Sequence, residues 1–515
     1  MIIEMRSRGP LLLAGDNLCR LPLERDVLPD YLKARRWFDS KADAAPSVTI
    51  EKSLALADLA DAAILILGVK SKTRTAGSYL FPVRTLWECE RPRAGLVCEL
   101  RSGPAAGWLV DGFSDDRFVR ELLERIRRAG ESPETADGLV FRGSAVLPSN
   151  SGFAESEIVR PGAEQSNTSV IADGVILKAF RRLEPGIHPE LEMGRYLTEK
   201  TRFRNVPKLL GSIEYVCPSA GSRTALCVLQ GLIENAKDGW QHVTNHLKRL
   251  NDGAPAGRQS EHGLVLLAQQ LGKRTAELHQ ALGAATDNPD FESEPASAGW
   301  LLQWQADLLN GINSVTATLA SRRDLFSDAH SALADRLMDR ADELAARVGA
   351  LFPKSTEAQR TRLHGDFHLG QILVRQGEVF IVDFEGEPMR PLAERRGKFL
   401  PLRDVAGMLR SFDYAGASAA RDAESAGKAP SFLQEVTGRL QSHFLMAYGE
   451  AIAGCVSFPA DLTQADDLLE LCVIEKALYE VHYEIANRPA WIDIPIVSLL
   501  ATMDGKKHGF LAPEG

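Results

Sequence analysis

Asp366, Gln371, Asp383 and Glu385 fall within one stretch, Leu363 to Pro388 (LHGDFHLGQILVRQGEVFIVDFEGEP). All four carry oxygen atoms suited to a hard cation or a proton. Asp366 follows His364-Gly365 in a short loop, Gln371 comes five positions later, and Asp383 closes the second strand of a hairpin that turns at Gln376-Gly377. That order gathers two carboxylates and an amide oxygen at one end of the hairpin. Phosphoryl transfer from ATP needs such parts: a carboxylate at the acceptor hydroxyl, ligands for Mg²⁺, and cations on the phosphates. Glu385 adds a third carboxylate beside the metal position. HGD alone or DFE alone is an ordinary turn; at this spacing the two together read as a phosphotransferase site.

The layout is that of the kinase catalytic loop H-x-D-x-x-x-x-N followed by D-F-G. Gln371 stands in place of the Asn and Glu385 in place of the glycine. The remaining parts are expected upstream. Lys178 lies in the apolar strand VILKAF, where an ammonium is costly unless an anion meets it. Nucleotide phosphates would be that anion, with Glu192 on the next helix holding the lysine and Glu190 competing for the role. The turn before that strand, Gln165, Ser166, Asn167 and Thr168, is not a glycine-rich P-loop, yet its hydroxyls and amides could cover phosphates. The strand Ala225 to Gln230 runs into Gly231-Leu232, and the backbone from Gln230 to Leu232 is expected to read the adenine edge. Asp404 opens the apolar helix VAGMLRSFDYA as a cap and, in this kinase class, accepts amides from the catalytic loop. His279 reads as a packed core residue, and His368 is assigned no chemistry.

These groups need a scaffold of several parts, and 515 residues exceed one ordinary hydrophobic core. Residues 1–130 read as a self-sufficient α+β block, with strands at 62–69 and 96–100 and a helix from Asp115 to Arg128 capped by Ser114. Residues 131–232 read as a small antiparallel sheet holding one helix, Pro189 to Thr198. Residues 233–515 turn helical, with amphipathic runs at 264–282, 332–351 and 468–485 and an exposed loop at 251–260. A net charge of −9 disfavours nucleic acid or an anionic membrane as partner. Seven scattered cysteines without a C-x-x-C pair suit a reducing cytoplasm, and no apolar run approaches the ~20 residues of a membrane span.

HGDFHLGQ, DFEGEPMRPLAERR and PLRDVAGMLRSFDYAG closely resemble the bacterial maltokinases, as do EQSNTSV, ILKAFRRLEPGIHPELEMGRYLTE and EKALYEVHYEIANRPAWIDIP. LPDYLKARRWFDSK resembles the opening of that family's N-terminal cap, although Asp39-Ser40 departs from the expected glycine-containing version. The resemblance implies a bilobal, aminoglycoside-phosphotransferase-like α+β kinase fold with an added N-terminal cap domain. It implies ATP and Mg²⁺ as cofactors and transfer to the anomeric hydroxyl of maltose, giving maltose 1-phosphate for α-glucan synthesis. Asp366 would then be the base, Gln371 and Asp383 the metal ligands, and Lys178 the phosphate lysine. A trehalose synthase becomes a candidate partner. Maltose contacts would come from Arg390, Arg395, Arg410 and Tyr414, and from Tyr483, Glu484, Asn487 and Arg488 at the end of a helix where Tyr479, Tyr483 and Asn487 share a face. The alternatives are the same chemistry on glucosamine, another hexose or an amino alcohol, or an inactive binding module that keeps the fold.

Lys178→Met is expected to raise the KM for ATP and depress turnover, because it removes a charge from the phosphates and keeps the strand's apolar volume. Nucleotide kinetics matching the parent would return Lys178 to a solvent-facing edge position.

Overall fold

The computed structural model describes residues 2–9, 16–38, 46–56, 58–70, 77–147, 152–162, 167–251, 257–425, 431–505 and 508–510. The chain divides into two compact units: residues 1–200 with 207–234, and residues 201–206 with 235–515.

The first unit holds two sheets. Strands β1 (Ile2–Glu4), β2 (Ser47–Ala55), β3 (Ala62–Lys70), β4 (Gly77–Trp87), β5 (Leu96–Ser102) and β6 (Ala105–Asp111) form the first, in the order β1-β5-β6-β4-β3-β2. Strand β1 runs parallel to β5 and the others are antiparallel. Short helices α1 (Asn17–Pro22) and α2 (Leu28–Lys33) precede β2. The second sheet comprises β7 (Glu134–Ala136), β8 (Leu139–Gly143), β9 (Asn167–Ala172), β10 (Val175–Phe180), β12 (Leu209–Val216) and β13 (Arg223–Gly231), in the order β7-β8-β12-β13-β10-β9. Between β10 and β12 the chain adds β11 (Arg182–Leu183) to β4 of the first sheet. The β9–β10 hairpin turns on Asp173-Gly174, both at positive φ, as a two-residue loop with an Asp-Gly sequence requires.

Helix α3 (Asp116–Ala129) explains why the two sheets do not separate. Its apolar face, Phe118, Leu122, Leu123 and Ile126, packs on β8 and β12, and one buried core runs from Leu54 and Ile64 to Leu177 and Val228. The helix read as belonging to a self-sufficient first block is therefore mortar between both sheets. Its cap is Asp115, whose side chain accepts from Phe118 N at 2.9 Å, and not Ser114, whose hydroxyl donates to Asp111 O from a preceding 3₁₀ turn. The expected strand at 157–160 shrinks to one bridge, Val159 to Ile171. Helix α4 (Pro189–Glu199) follows β11.

The second unit is helical: α5 (Gly239–Asn251), α6 (Gly257–Gly283), α7 (Ala298–Ser321), α8 (Asp328–Asp339), α9 (Ala341–Leu351), α10 (Leu392–Arg395), α11 (Leu402–Ser425), α12 (Ser431–Ile452), α13 (Leu462–Asn487) and α14 (Asp493–Met503). The expected loop at 251–260 is already helical from Gly257, and 252–256 lie outside the described residues. The continuous helix expected at 332–351 breaks at Arg340, which leaves helical geometry (φ −106, ψ 14) and pairs with Glu343 and Asp504. Set into the helices is a three-stranded sheet of β14 (Lys237–Asp238), β17 (Ile372–Arg375) and β18 (Glu378–Ile381), while β15 (Glu294–Pro295) pairs with β16 (Gln359–Arg360). Gln376 and Gly377, at φ +52 and +80, make the β17–β18 turn.

Arg181 lies buried where the two sheets of the first unit meet. It donates to Asp111 Oδ2 at 2.7 Å and to Thr168 Oγ1 at 2.7 Å, and its guanidinium covers the rings of Trp37 and Phe113. Asp111→Ala would leave that guanidinium without its carboxylate and also remove the acceptor of Phe113 N. A loss of about 3–5 kcal/mol of stability is expected, read as a shift in the denaturant midpoint. A loss below about 1 kcal/mol, the scale of an exposed pair, would show that the pair is not effectively buried.

Candidate active site

The loop from His364 to Gln371 is fixed by one face of α11. Asp404, 2% exposed, accepts His364 N at 2.8 Å on one oxygen and Gly365 N at 3.0 Å on the other. Three residues on, Gly407 lets the loop approach so closely that a Cβ there would lie 2.6 Å from Phe367 O. One turn further, Ser411 Oγ accepts Leu369 N at 3.0 Å. Asp404, Gly407 and Ser411 thus form an i, i+3, i+7 stripe that holds the loop's backbone. His279 Nε2 lies 3.3 Å from Asp404 Oδ2, and its Nδ1 lies 2.9 Å from Tyr448 Oη. Burial alone would raise the Asp404 carboxyl, but His279, His364 and the Gly365 amide outweigh it and keep it below its ordinary value.

His364 ties the loop to the hairpin. Its Nε2 donates to Val382 O at 2.9 Å, and burial pushes its ring towards the neutral form that this single donation needs. Val382 N donates to Gln371 O at 2.9 Å, so Gln371 and Asp383 leave adjacent points of the same backbone ladder. Strand β18 ends at Ile381, and Asp383 lies just beyond it at φ +67. A non-glycine residue held there costs of order 1–3 kcal/mol, a strain that tends to accompany function. Gly386 follows at φ +74, packed on the Arg395 stem, while Arg395 Nη1 donates to Glu385 O at 3.3 Å. Gln371, Asp383 and Glu385 carry oxygen donors of the kind that suits Mg²⁺, although no group of three or more His, Cys, Asp or Glu side chains gathers closely enough to hold a metal ion among the described residues.

Asp366 faces a lysine that the sequence reading did not single out. Lys476 Nζ on α13 is 3.5 Å from Asp366 Oδ1 and 2.6 Å from Glu387 Oε1, and Arg390 takes the second Glu387 oxygen. His368 Nε2 stands 3.7 Å from Asp366 Oδ2, an ionic distance and not a hydrogen bond. Burial pushes the Asp366 carboxyl up, but His368 and Lys476 outweigh it and hold it well below the usual carboxylate range. Little in the sequence signals it: Lys476 stands beside Glu475 in a helix, and only the packing of α13 brings it to Asp366.

The expected acceptor residues are engaged within the helices. Arg410, 1% exposed, donates to Glu480 Oε2 through Nε and Nη2 and to Asp413 through Nη1. Tyr414 Oη donates to Glu484 at 2.9 Å, and Glu484 also receives Arg488 at 2.6 and 3.0 Å. Tyr483 is half-exposed and stacks on Tyr479 with ring centres 6.4 Å apart, and Asn487 Nδ2 donates to Tyr483 O. Arg390 reaches over Tyr479 as well as to Glu387.

In the first unit, Lys178 lies opposite Ser169 and Val228 in the second sheet, with its ammonium 5.8 Å from the Phe180 ring centre. Glu190 is buried and accepts Gln230 Nε2 at 2.8 Å, whereas Glu192 is half-buried on the same helix. Thr168 is engaged by Arg181, and Asn167 begins β9; Gln165 and Ser166 lie outside the described residues. The amides expected to read adenine are turned inward, since Gly231 N donates to Lys208 O and Leu232 N to Gly174 O. The sheet's own hydrogen bonding uses those donors.

Gly407→Ala should lower kcat roughly 10²-fold by displacing the catalytic loop, and destabilise by about 1–3 kcal/mol through overpacking. Gly438→Ala on α12, with nothing within 4 Å of the new methyl, should instead stabilise by about 0.5–1 kcal/mol. Paired melting curves and steady-state assays check both; equal responses would mean that the close approach at Gly407 is unimportant.

A model of the phosphotransferase enzyme family matches residues 157–429, more than half of the chain. The chain is 26% identical over 415 residues to a glucosamine kinase of Streptacidiphilus jiangxiensis, covering 78% of this chain and 86% of that one. It is 27% identical over 347 residues to a glucosamine kinase of Mycolicibacterium smegmatis, covering 66% and 78%. A solved glucosamine kinase in complex with glucosamine, ADP and inorganic phosphate shares its fold with a TM-score of 0.62, at 21% identity over 92% of this chain and 98% of that one. The chain therefore belongs to the phosphotransferase enzyme family, and its α+β fold is the kinase-like fold of the aminoglycoside-phosphotransferase type.

Proposed function

We propose that the chain is a Mg²⁺- and ATP-dependent kinase that phosphorylates a hydroxyl of a small sugar, with glucosamine as the acceptor. The observation that carries the kinase reading is the loop pinned by Asp404, which presents an ionised Asp366 beside the hairpin end bearing Gln371 and Asp383. The similarity to two glucosamine kinases supports the acceptor. Maltose, implied by the motif resemblance, is the second reading, favoured by the Tyr479–Tyr483 stack with Asn487 as a surface for a further ring.

In this reading Asp366 orients the acceptor hydroxyl. The hydroxyl oxygen bonds to the γ-phosphorus as the bond from phosphorus to the β,γ-bridging oxygen breaks. That electron pair leaves with ADP, and the hydroxyl proton passes to the Asp366 carboxylate. A carboxylate held this acidic is a weak base, so it takes the proton late, once bonding to phosphorus has acidified the hydroxyl; a loose transition state asks for orientation more than basicity. Gln371 and Asp383 would hold Mg²⁺, which supplies charge neutralisation at the phosphates when bound. Lys178 is the proposed cation for the nucleotide phosphates.

Asp366→Asn should leave nucleotide binding nearly intact and lower kcat roughly 10²- to 10⁴-fold. Assays with Mg-ATP and a panel of glucosamine, glucose and maltose, with the product identified by phosphorus NMR, test the acceptor. Preference for maltose would move the conclusion to the second reading. Phosphorylation of no sugar, or an undiminished Asp366→Asn variant, would refute the proposal.

A further inference from the structure

Lys476 follows Glu475 on α13 and is largely covered, with 17% of its side chain exposed. Its ammonium meets two carboxylates, Glu387 Oε1 at 2.6 Å and Asp366 Oδ1 at 3.5 Å, and lies 4.9 Å from the Tyr479 ring centre. Glu387 is held from both sides, by Lys476 on one oxygen and by Arg390 on the other. Among the described residues, the other cation-forming group close to Asp366 is His368, 40% exposed, at 3.7 Å from Oδ2. The pair Glu387–Arg390 therefore serves as a mount, and what the mount holds is an ammonium aimed at the reactive carboxylate.

We propose that Lys476 is a positioning residue of the phosphoryl transfer: mounted on Glu387, its ammonium fixes Oδ1 of Asp366 and leaves Oδ2, on the His368 side, to receive the acceptor hydroxyl. This rests on the kinase reading above. The geometry has three supports. The ammonium and carboxylate are both largely screened from water, at 17% and 19% side-chain exposure, so the attraction between them is strong. The mount is rigid, since Glu387 is 3% exposed and held from both sides. The half-exposed His368 marks Oδ2 as the oxygen facing the accessible side of the loop.

Lys476→Met, Lys476→Arg and Glu387→Gln test the inference by steady-state kinetics, nucleotide titration and a crystal structure of Lys476→Met. Lys476→Met should lower kcat roughly 10²-fold, the scale of a misplaced reacting group. The KM for ATP should stay within about twofold, since uniform nucleotide binding is untouched. Lys476→Arg should recover part of the loss, and Glu387→Gln should show a smaller loss of the same kind. The Lys476→Met crystal should show the Asp366 carboxylate turned from its parent orientation. An unmoved carboxylate, a parent-like kcat in Lys476→Met, or a loss that tracks melting temperature in all three variants would overturn the role. Should the parent phosphorylate no sugar, the kinase reading fails, and the Asp366 orientation in the variant crystal still decides what Lys476 does.

Discussion

A buried carboxylate that must be satisfied organises the catalytic unit. Asp404 lies under the catalytic loop at 2% exposure, where an unpartnered charge would cost several kcal/mol. Its partners are two backbone amides and one imidazole, and the amides belong to His364 and Gly365. To deliver both amides to one carboxylate the chain must turn sharply, and Gly365 does so at φ +85. Once that turn is set, Asp366 emerges at a defined point, Phe367 drops into the core, and Leu369 N reaches Ser411. The position of the Asp366 carboxylate is thus a consequence of α11's register. A one-residue slip of that helix would present Val405 and Met408 to the loop and leave its amides without acceptors.

A second constraint is charge alternation. From Asp366 the contacts run to Lys476, Glu387 and Arg390, then on to Glu475 and Arg403. Arg410 with Glu480 and Asp413 forms a neighbouring group. Most of these side chains are buried or half-buried, so each depends on its neighbour to stay charged. Such a lattice adds little net stability compared with apolar packing, because desolvation offsets much of the attraction. It does provide fixed charges that need no reorganisation when a substrate arrives. Burial raises the Glu480 carboxyl even beside Arg410 and Lys476, which shows how finely the lattice is balanced.

The sequence made legible what backbone geometry dictates. The β17–β18 hairpin was readable because Gln376-Gly377 sits between apolar strands, and β10 was readable as one apolar run bounded by Asp173-Gly174. Long helices showed through their periodicity. Less was visible where tertiary contacts override local pattern. Strands β4 and β12 lack clear alternation because both their faces are covered, as their near-continuous burial shows, whereas β2 alternates between buried and exposed positions and still carries no turn signal that sets it apart. The Ser114 cap failed because Asp115, one residue later, combines a better acceptor with an ion pair to Arg84. In the site, Asp366, Gln371 and Asp383 could be found from spacing within one hairpin. Lys476 could not, since more than a hundred residues separate it from Asp366 and only the packing of α13 joins them.

That difference explains why the reaction is easier to read than the acceptor. The parts proposed to handle phosphate and metal lie mostly on short segments whose geometry follows from a few backbone hydrogen bonds. Acceptor recognition depends on side chains from separate helices, and in this family member many of those are already spoken for. Arg410 is committed to Glu480, Tyr414 to Glu484, and Glu484 to Arg488. A list of planar polar and aromatic residues near the end of α13 therefore overstates what a sugar can touch. What stays accessible there is narrower: the half-exposed Tyr483 ring, the exposed Asn487 and the outer part of Arg488. A single amino sugar needs no more than hydrogen bonds around one ring, whereas a disaccharide would use the Tyr479–Tyr483 face for its second ring. The choice between acceptors thus rests on whether that small aromatic face is substrate surface or the outer edge of the Lys476–Arg390 charge lattice, to which Tyr479 already belongs through both cations.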